Sequence, residues 1–171
     1  MDFIVKNLRV SDLYDIDFEC ASLKFRGKRK LSEDVVEIYT SKPGVYLISD
    51  ENTCKKNGEY IYIGMTMSSI KNRVDMHIDK MLFLKKAKDT TNWSIYRDTF
   101  INSKNESLSV LSSWIINIVC FEEICKSQLE GIEARLIFQH FRKHGNAPKC
   151  NNEFIKVDLG VDAIIDKVGL S

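Results

Sequence analysis

Three short runs of β-branched and aromatic residues lie along the chain, at 45–48, 60–63 and 114–121. Runs of this length and composition predict β-strands. A polar segment with an Asn-Gly turn signal separates the first two runs, which favours a β-hairpin with a long connection. Strand alternation in the second run predicts that Tyr60 and Tyr62 share one face of the sheet.

Helical periodicity marks two longer segments, 68–84 and 127–143. The first begins at Ser68 and Ser69, which are suited to cap a helix, and continues with apolar residues three or four positions apart. The second has apolar residues at the same spacing, and Glu133 falls in the middle of that face. Because a buried unpaired carboxylate is costly, we expect Glu133 to be paired, protonated or bound to a metal.

The order of these elements indicates an α+β fold and divides the chain into parts. Residues 1–42 are predicted to form an N-terminal extension with a short helix near 10–23. Residues 43–152 form the main domain, and the polar stretch 85–112 is predicted to be an insertion within it. A C-terminal tail, 153–171, is expected to contain a weak strand and helix.

The composition fits one folded domain with appendages. The chain has 171 residues, of which 44% are hydrophobic and 29% are charged, and this excludes a disordered polyelectrolyte. Basic and acidic residues nearly balance, at 25 and 24, but the basic ones gather around 24–30, 80–88 and 135–149. Such clusters either form a surface that binds anions such as nucleic acid or are solvated loops.

Cysteine and histidine content excludes two common kinds of small domain. Five cysteines without a CxxC pair, with only three histidines, favour neither a disulfide scaffold nor structural zinc. The N-terminus lacks the pattern of a signal peptide, and no stretch approaches about 18 apolar residues. We therefore expect a cytoplasmic protein with no membrane partner.

One ordered set of motifs points to a function. The set is Gly44-Val45-Tyr46, Tyr62-Ile63-Gly64, Arg73 with His77, Glu133, and Asn151. It resembles the GIY-YIG nuclease family, and His77 and the insertion are most like its restriction-endonuclease branch. The resemblance implies a small three-stranded antiparallel sheet flanked by helices. It also implies a catalytic site formed by Tyr46, Tyr62, Arg73, His77, Glu133 and Asn151.

These residue types suit phosphodiester hydrolysis, which needs a base for water and stabilisation of charge at phosphorus. Glu133, implied as the metal ligand, can hold one Mg²⁺, or Mn²⁺ as a substitute, whose other ligands are waters and phosphate oxygens. Arg73 offers a planar fork to the nonbridging oxygens. Tyr46 or Tyr62 is the candidate base if Arg73 or the metal favours phenolate, with His77 as a proton relay.

Two of these assignments have alternatives. Glu130 lies near the same apolar face, so it is the other candidate for the metal ligand, and Glu133 could instead form a structural pair with Arg73. Asn146 and Asn152 are the alternatives to Asn151 as the terminal asparagine.

Other residues depart from the family pattern or stay outside it. Met65 stands where many members of the family have lysine, so any role of that lysine is lost or passes to Lys71. His140 and His144 are expected to be structural or to face solvent.

The expected function is a Mg²⁺-dependent endonuclease that cleaves double-stranded DNA at specific sites, as a type II restriction enzyme does. Since one active site cuts one strand, cleavage of both strands suggests a homodimer. The alternatives are a phage or mobile-element nuclease of loose specificity and a non-catalytic DNA-binding module. Residues 1–42 would serve as a DNA-contacting or dimerisation arm. The predicted DNA contacts are Lys28, Arg29, Lys30, Lys71, Lys85 and Lys86.

Overall fold

The computed structural model describes residues 3–20, 22–51, 58–82, 93 and 108–151. Within these ranges the strands are β1 (Phe3–Arg9), β2 (Tyr14–Asp17), β3 (Ser22–Phe25), β4 (Gly44–Asp50), β5 (Tyr62–Thr66) and β6 (Trp114–Phe121). The helices are α1 (Val10–Leu13), α2 (Gly27–Lys30), α3 (Glu33–Ser41), α4 (Ile70–Leu82) and α5 (Lys126–His144), with a 3-10 helix at Leu108–Ser113.

The main sheet has four strands in the order β1-β6-β4-β5, and each neighbouring pair is antiparallel. The α+β class is therefore confirmed, whereas the prediction of three strands is wrong. The fourth strand is β1, which comes from the segment predicted to be an extension and pairs with β6 from Phe3↔Phe121 to Arg9↔Ile115. This pairing satisfies backbone groups of β6 that would otherwise lie at an open edge.

The predicted helix near 10–23 is also wrong. Helix α1 has only four residues, and the β2-β3 hairpin follows it. The carboxylate of Asp17 accepts hydrogen bonds from the backbone N–H groups of Glu19 at 3.0 Å and Cys20 at 2.9 Å. An aspartate that binds the following backbone in this way turns the chain and competes with helix formation.

Strand β5 begins at Tyr62, two residues later than predicted. The chain bends at Ile61, so alternation does not extend back to Tyr60. Tyr60 packs with the residues on the α5 side of the sheet, and Tyr62 packs on the opposite side. The prediction that both tyrosines share one face is therefore wrong.

Helices cover both faces of the main sheet. Residues of α1, α3 and α4 pack on one face against Tyr46, Ile48 and Ile116, among others. Helix α5 packs on the other face against Val45 and Leu47. Strand β5 is an edge strand, and α4 and α5 both contact it from opposite faces of the sheet.

The predicted start of α4 and the predicted end of α5 agree with the structure, whereas the predicted end of α4 near residue 84 lies outside the described residues. Helix α4 begins after Ser69, whose hydroxyl accepts a hydrogen bond from the Asn72 N–H at 3.2 Å. Helix α5 ends at Gly145, which has a left-handed φ of 75°. Both ends are specified locally, by a capping hydroxyl and by a residue without a Cβ.

Some predictions fall on residues beyond the described ranges. The insertion 85–112 overlaps the described residues only at Trp93 and in the 3-10 helix, and the tail 153–171 lies wholly outside them. Three cysteines among the described residues, Cys20, Cys120 and Cys125, are free thiols. No helix within the described ranges is long and apolar enough to cross a bilayer.

Candidate active site

A cavity of about 580 Å³ lies at the β5 edge of the main sheet, where α4 and α5 converge. Five of the six predicted catalytic residues line it: Tyr62 from β5, Arg73 and His77 from α4, Glu133 from α5, and Asn151. These residues are distant in sequence, and the packing of two helices around one edge strand brings them together.

Tyr46, the sixth predicted residue, lies behind the cavity wall. It is fully buried on β4, and its Oη lies 2.9 Å from the Nε2 of His77. The rings of Tyr46 and Tyr62 are 5.9 Å apart between centroids. Burial raises the pKa of Tyr46 above its ordinary value, as does the neighbouring Tyr62, whereas Arg73 opposes this shift. Tyr46 is therefore a neutral phenol at neutral pH.

His77 is buried among aromatic rings. Its ring centroid lies 4.4 Å from that of Tyr62 and 4.7 Å from that of Trp93. Burial lowers the pKa of His77 to about 3, with further lowering from Lys80 and Arg73. His77 is therefore neutral at neutral pH, and its Nδ1 has no hydrogen-bond partner among the described residues.

The two motif glycines lie where neighbouring atoms are too close to leave room for a Cβ. A Cβ on Gly64 would lie 2.8 Å from the Oη of Tyr46 and closer still to the ring of Tyr62. A Cβ on Gly44 would lie 2.6 Å from the carbonyl oxygen of Val119 on β6. Because glycine has no Cβ, the rings of Tyr46 and Tyr62 can lie against the backbone of β5 at Gly64, and β4 can approach β6 closely at Gly44.

Arg73 is half-buried on α4 and interacts with the hydroxyls of both Tyr46 and Tyr62. Burial alone would lower the pKa of Arg73, but these two phenols raise it above its ordinary value. The guanidinium is therefore a permanent cation at the cavity wall. Its Nε is buried and has no hydrogen-bond partner within the described part of the chain.

Glu133 lies on the buried face of α5, as predicted, and its side chain is half-buried and lines the cavity. The buried residues of α5 are Leu129, Ile137 and His140, and Glu133 lies midway between Leu129 and Ile137, four residues from each. Glu130 also lines the cavity, but it is exposed and lies 3.4 Å from Lys126, one helical turn away.

The carboxylates constrain the kind of metal site that fits. Among the described residues, no group of three or more His, Cys, Asp or Glu side chains could hold a metal ion. A site of the zinc kind, with several protein ligands, does not fit these residues. A Mg²⁺ held by one carboxylate, with waters and phosphate oxygens as its other ligands, does fit them.

Asn151 is bound to the edge strand. Its Oδ1 accepts a hydrogen bond from the Ile63 N–H at 2.9 Å, and its Nδ2 donates to the Ile63 carbonyl at 2.7 Å. The Cys150 N–H donates to the Ile61 carbonyl at 2.9 Å. The side chain of Asn151 therefore replaces a neighbouring strand and fixes the part of β5 that carries Tyr62.

His140 holds a related position near β5. The Tyr60 N–H donates to its Nε2 at 3.0 Å, and its Nδ1 donates to the Asn146 carbonyl at 3.0 Å. His140 is therefore structural, as expected. Asn146 does not line the cavity, and the other alternative, Asn152, lies outside the described residues.

Three of the six predicted DNA contacts have described side chains: Arg29, Lys30 and Lys71. Arg29 and Lys30 are exposed on α2. Lys71 lies 2.5 Å from the carboxylate of Asp75 and 5.0 Å above the ring of Phe25, so its ammonium is already engaged. The side chain of Lys28 and the whole of Lys85 and Lys86 fall outside the described residues.

Trp93 and Lys80 are among the residues that line the cavity and that sequence reasoning did not assign. Trp93 contacts the rings of His77 and Tyr62, although it lies in the stretch predicted as an insertion. In the sequence, the only indication that Trp93 is buried is its aromatic side chain within a polar segment. Lys80 lies seven positions after Arg73, and this spacing places the two side chains on one helical face.

In comparisons with known proteins, the chain matches no protein-family model, no curated protein and no solved structure. The resemblance to a nuclease family therefore depends on the ordered motif residues and on their position around one cavity.

Proposed function

We propose that this protein is a Mg²⁺-dependent endonuclease of GIY-YIG type that hydrolyses phosphodiester bonds in double-stranded DNA. The observation that carries the proposal is the cavity at the β5 edge, which gathers Tyr62, Arg73, His77, Glu133 and Asn151 from four separate parts of the chain. Tyr46 completes the set through its hydrogen bond to His77.

Glu133 is the residue that would hold the metal. When bound, Mg²⁺ supplies positive charge that polarises the phosphate and stabilises the leaving oxygen. The carboxylate reaches the cavity from α5, whereas the cations Arg73 and Lys80 reach it from α4. The two sides of the cavity therefore carry opposite charges, as a site for a metal and a phosphate requires.

Tyr62 is the proposed base for water. It lines the cavity, whereas Tyr46 is fully buried behind it. Arg73 interacts with the hydroxyl of Tyr62, and a nearby cation favours the phenolate form. Arg73 also offers N–H donors to the phosphate. His77 is neutral and holds Tyr46 in place behind the reacting groups.

The finer proposal is a site-specific restriction enzyme that acts as a homodimer on DNA. Exposed basic residues such as Arg29 and Lys30 on α2 would bind backbone phosphates. Cleavage of both strands would need two copies of the site, related by the symmetry of the duplex.

A digest of supercoiled plasmid DNA, with Mg²⁺ and with EDTA, tests this proposal. Discrete fragments that require Mg²⁺ would support a site-specific enzyme, and a Mg²⁺-dependent smear would support a nuclease of loose specificity. Intact DNA in both conditions, with a gel shift, would indicate a DNA-binding module without turnover and would overturn the proposed activity.

A further inference from the structure

Lys80 is a second cation in the cavity. It is half-buried in the last turn of α4 and lines the same cavity as Arg73. Among the residues that the structure describes, no ion pair or hydrogen bond engages its ammonium. Lys71 on the same helix differs, because Asp75 neutralises it.

The position of Lys80 relative to Arg73 suits an extended anion. Seven residues of α-helix span about 10 Å along the helix axis and two turns, so both side chains lie on one face. Along one strand of duplex DNA, successive phosphates rise about 3.4 Å. Two cations about 10 Å apart can therefore contact two different phosphates of one strand.

We propose that Lys80 forms a second phosphate-binding position in the cavity and holds a backbone phosphate a few nucleotides from the bond that is cut. This inference rests on the proposed nuclease function and deepens it, since it defines how the strand crosses the site. Arg73 contacts the scissile phosphate, and Lys80 fixes the direction of the strand along α4. Lys80 is therefore a positioning residue.

A structural role for Lys80 makes different predictions. A lysine in the last helical turn also interacts favourably with the helix dipole, which would stabilise the fold without any contact to DNA. Lys80→Gln removes the charge and Lys80→Arg keeps it, but both roles depend on that charge. The DNA measurements separate them, because only a phosphate contact predicts that loss of the charge changes DNA binding. Lys42→Gln is the matched control, since Lys42 lies outside the cavity and 3.5 Å from Glu37.

The first measurement is DNA binding in EDTA at several salt concentrations. Loss of one phosphate contact should reduce the slope of log affinity against log salt by about 0.9 for duplex DNA. We expect this reduction for Lys80→Gln, whereas Lys80→Arg and Lys42→Gln should keep the wild-type slope.

The second measurement uses duplexes in which one phosphate at a time is replaced by a neutral methylphosphonate. Wild-type cleavage should fall about tenfold or more at one position a few nucleotides from the cut, as loss of a charged hydrogen bond implies. Lys80→Gln should cleave slowly and should be insensitive to neutralisation at that same position. If Lys80→Gln keeps the full wild-type sensitivity and salt slope, the phosphate position is overturned.

Failure of the nuclease proposal gives a different result. If the wild type binds DNA without cutting it, and only Lys80→Gln reduces the salt slope, the phosphate position stands while the enzymatic function fails. If the wild type neither binds nor cuts DNA, both proposals are overturned.

Discussion

Tyr46 and Tyr62 are equivalent in the sequence motifs but differ in their access to the cavity. Tyr62 lines the cavity, whereas Tyr46 is fully buried with its hydroxyl on His77. The sequence could identify both tyrosines and left open which one is the base. The choice depends on burial, which residue type and spacing do not determine.

Tyr62→Phe and Tyr46→Phe should therefore have unequal effects. Tyr62→Phe removes the proposed base and should lower kcat by about 10²-fold or more. Tyr46→Phe removes a buried hydrogen bond and should cost about 1 kcal/mol of unfolding free energy, with a smaller loss of kcat. Single-turnover cleavage and urea unfolding of both variants measure this difference. The reverse order of kcat losses would make Tyr46 the base.

Arg73→Lys should be severely impaired although it keeps the positive charge. A lysine ammonium cannot donate two parallel hydrogen bonds to a phosphate and cannot interact with both phenols as the guanidinium does. We expect cleavage to fall about 10²-fold or more. Arg142→Lys is the matched control, because Arg142 is exposed in the last turn of α5 and does not line the cavity, and this variant should cleave normally. Near-normal cleavage by Arg73→Lys would show that Arg73 is a structural residue.

At the scale of elements, the glycine of β5 links the fold to the site. A Cβ on Gly64 would collide with Tyr46 and Tyr62, so Gly64→Ala should displace both rings and cost about 1–3 kcal/mol of stability. Gly131→Ala on α5 is the matched control, because within the described part of the chain no atom outside the helix's own backbone lies within 4 Å of its Cβ position. That change should stabilise the helix by about 0.5–1 kcal/mol. Thermal unfolding and cleavage assays compare the two variants, and a Gly64→Ala protein with wild-type stability and activity would contradict this account.

The elements that could be predicted are those specified by local sequence. Strand β6 is a continuous run of mostly β-branched and aromatic residues, and helix α5 has apolar residues at helical spacing. The structure confirms both elements. The two-stranded sheet of β2 and β3 was missed because its turn depends on the side chain of Asp17 within a segment that has helical spacing. Strand β1 was missed because its place in the sheet depends on pairing with β6, more than 100 residues away.

At the scale of the whole molecule, the site is assembled by packing between distant segments. The sequence could predict five of the residues that line the cavity, but not that Trp93 covers His77 or that Lys80 shares the cavity. Those contacts depend on how α4 packs against segments that are distant in the sequence. They also affect the stability of the whole protein, because they keep His77 buried.

Buried His77 should make the protein sensitive to acid. Its folded pKa of about 3 lies below the value of about 6.5 for an unfolded chain. Its contribution is therefore fully present above pH 6.5 and is lost as the pH falls from there toward 3, by about 1.4 kcal/mol per pH unit, because only the unfolded state binds the proton.

His77→Gln should remove this sensitivity. Between pH 7 and pH 5 the wild type should lose about 2 kcal/mol more unfolding free energy than the variant, as measured by urea unfolding. His140, whose pKa is also lowered mainly by burial, remains in both proteins and cancels in the comparison. If the unfolding free energies of the two proteins change with pH in parallel, His77 is not held neutral in the folded state.

The most direct test of the central claim compares plasmid cleavage by Glu133→Gln and Glu130→Gln in Mg²⁺. Both carboxylates line the cavity, but only Glu133 is half-buried, whereas Glu130 is exposed and near Lys126. We predict that Glu133→Gln loses at least about 10²-fold in cleavage while it still folds and binds DNA, and that Glu130→Gln cleaves like the wild type. Full cleavage by Glu133→Gln, with its loss in Glu130→Gln, would place the metal one turn earlier on the helix. Full cleavage by both variants would contradict the one-metal mechanism.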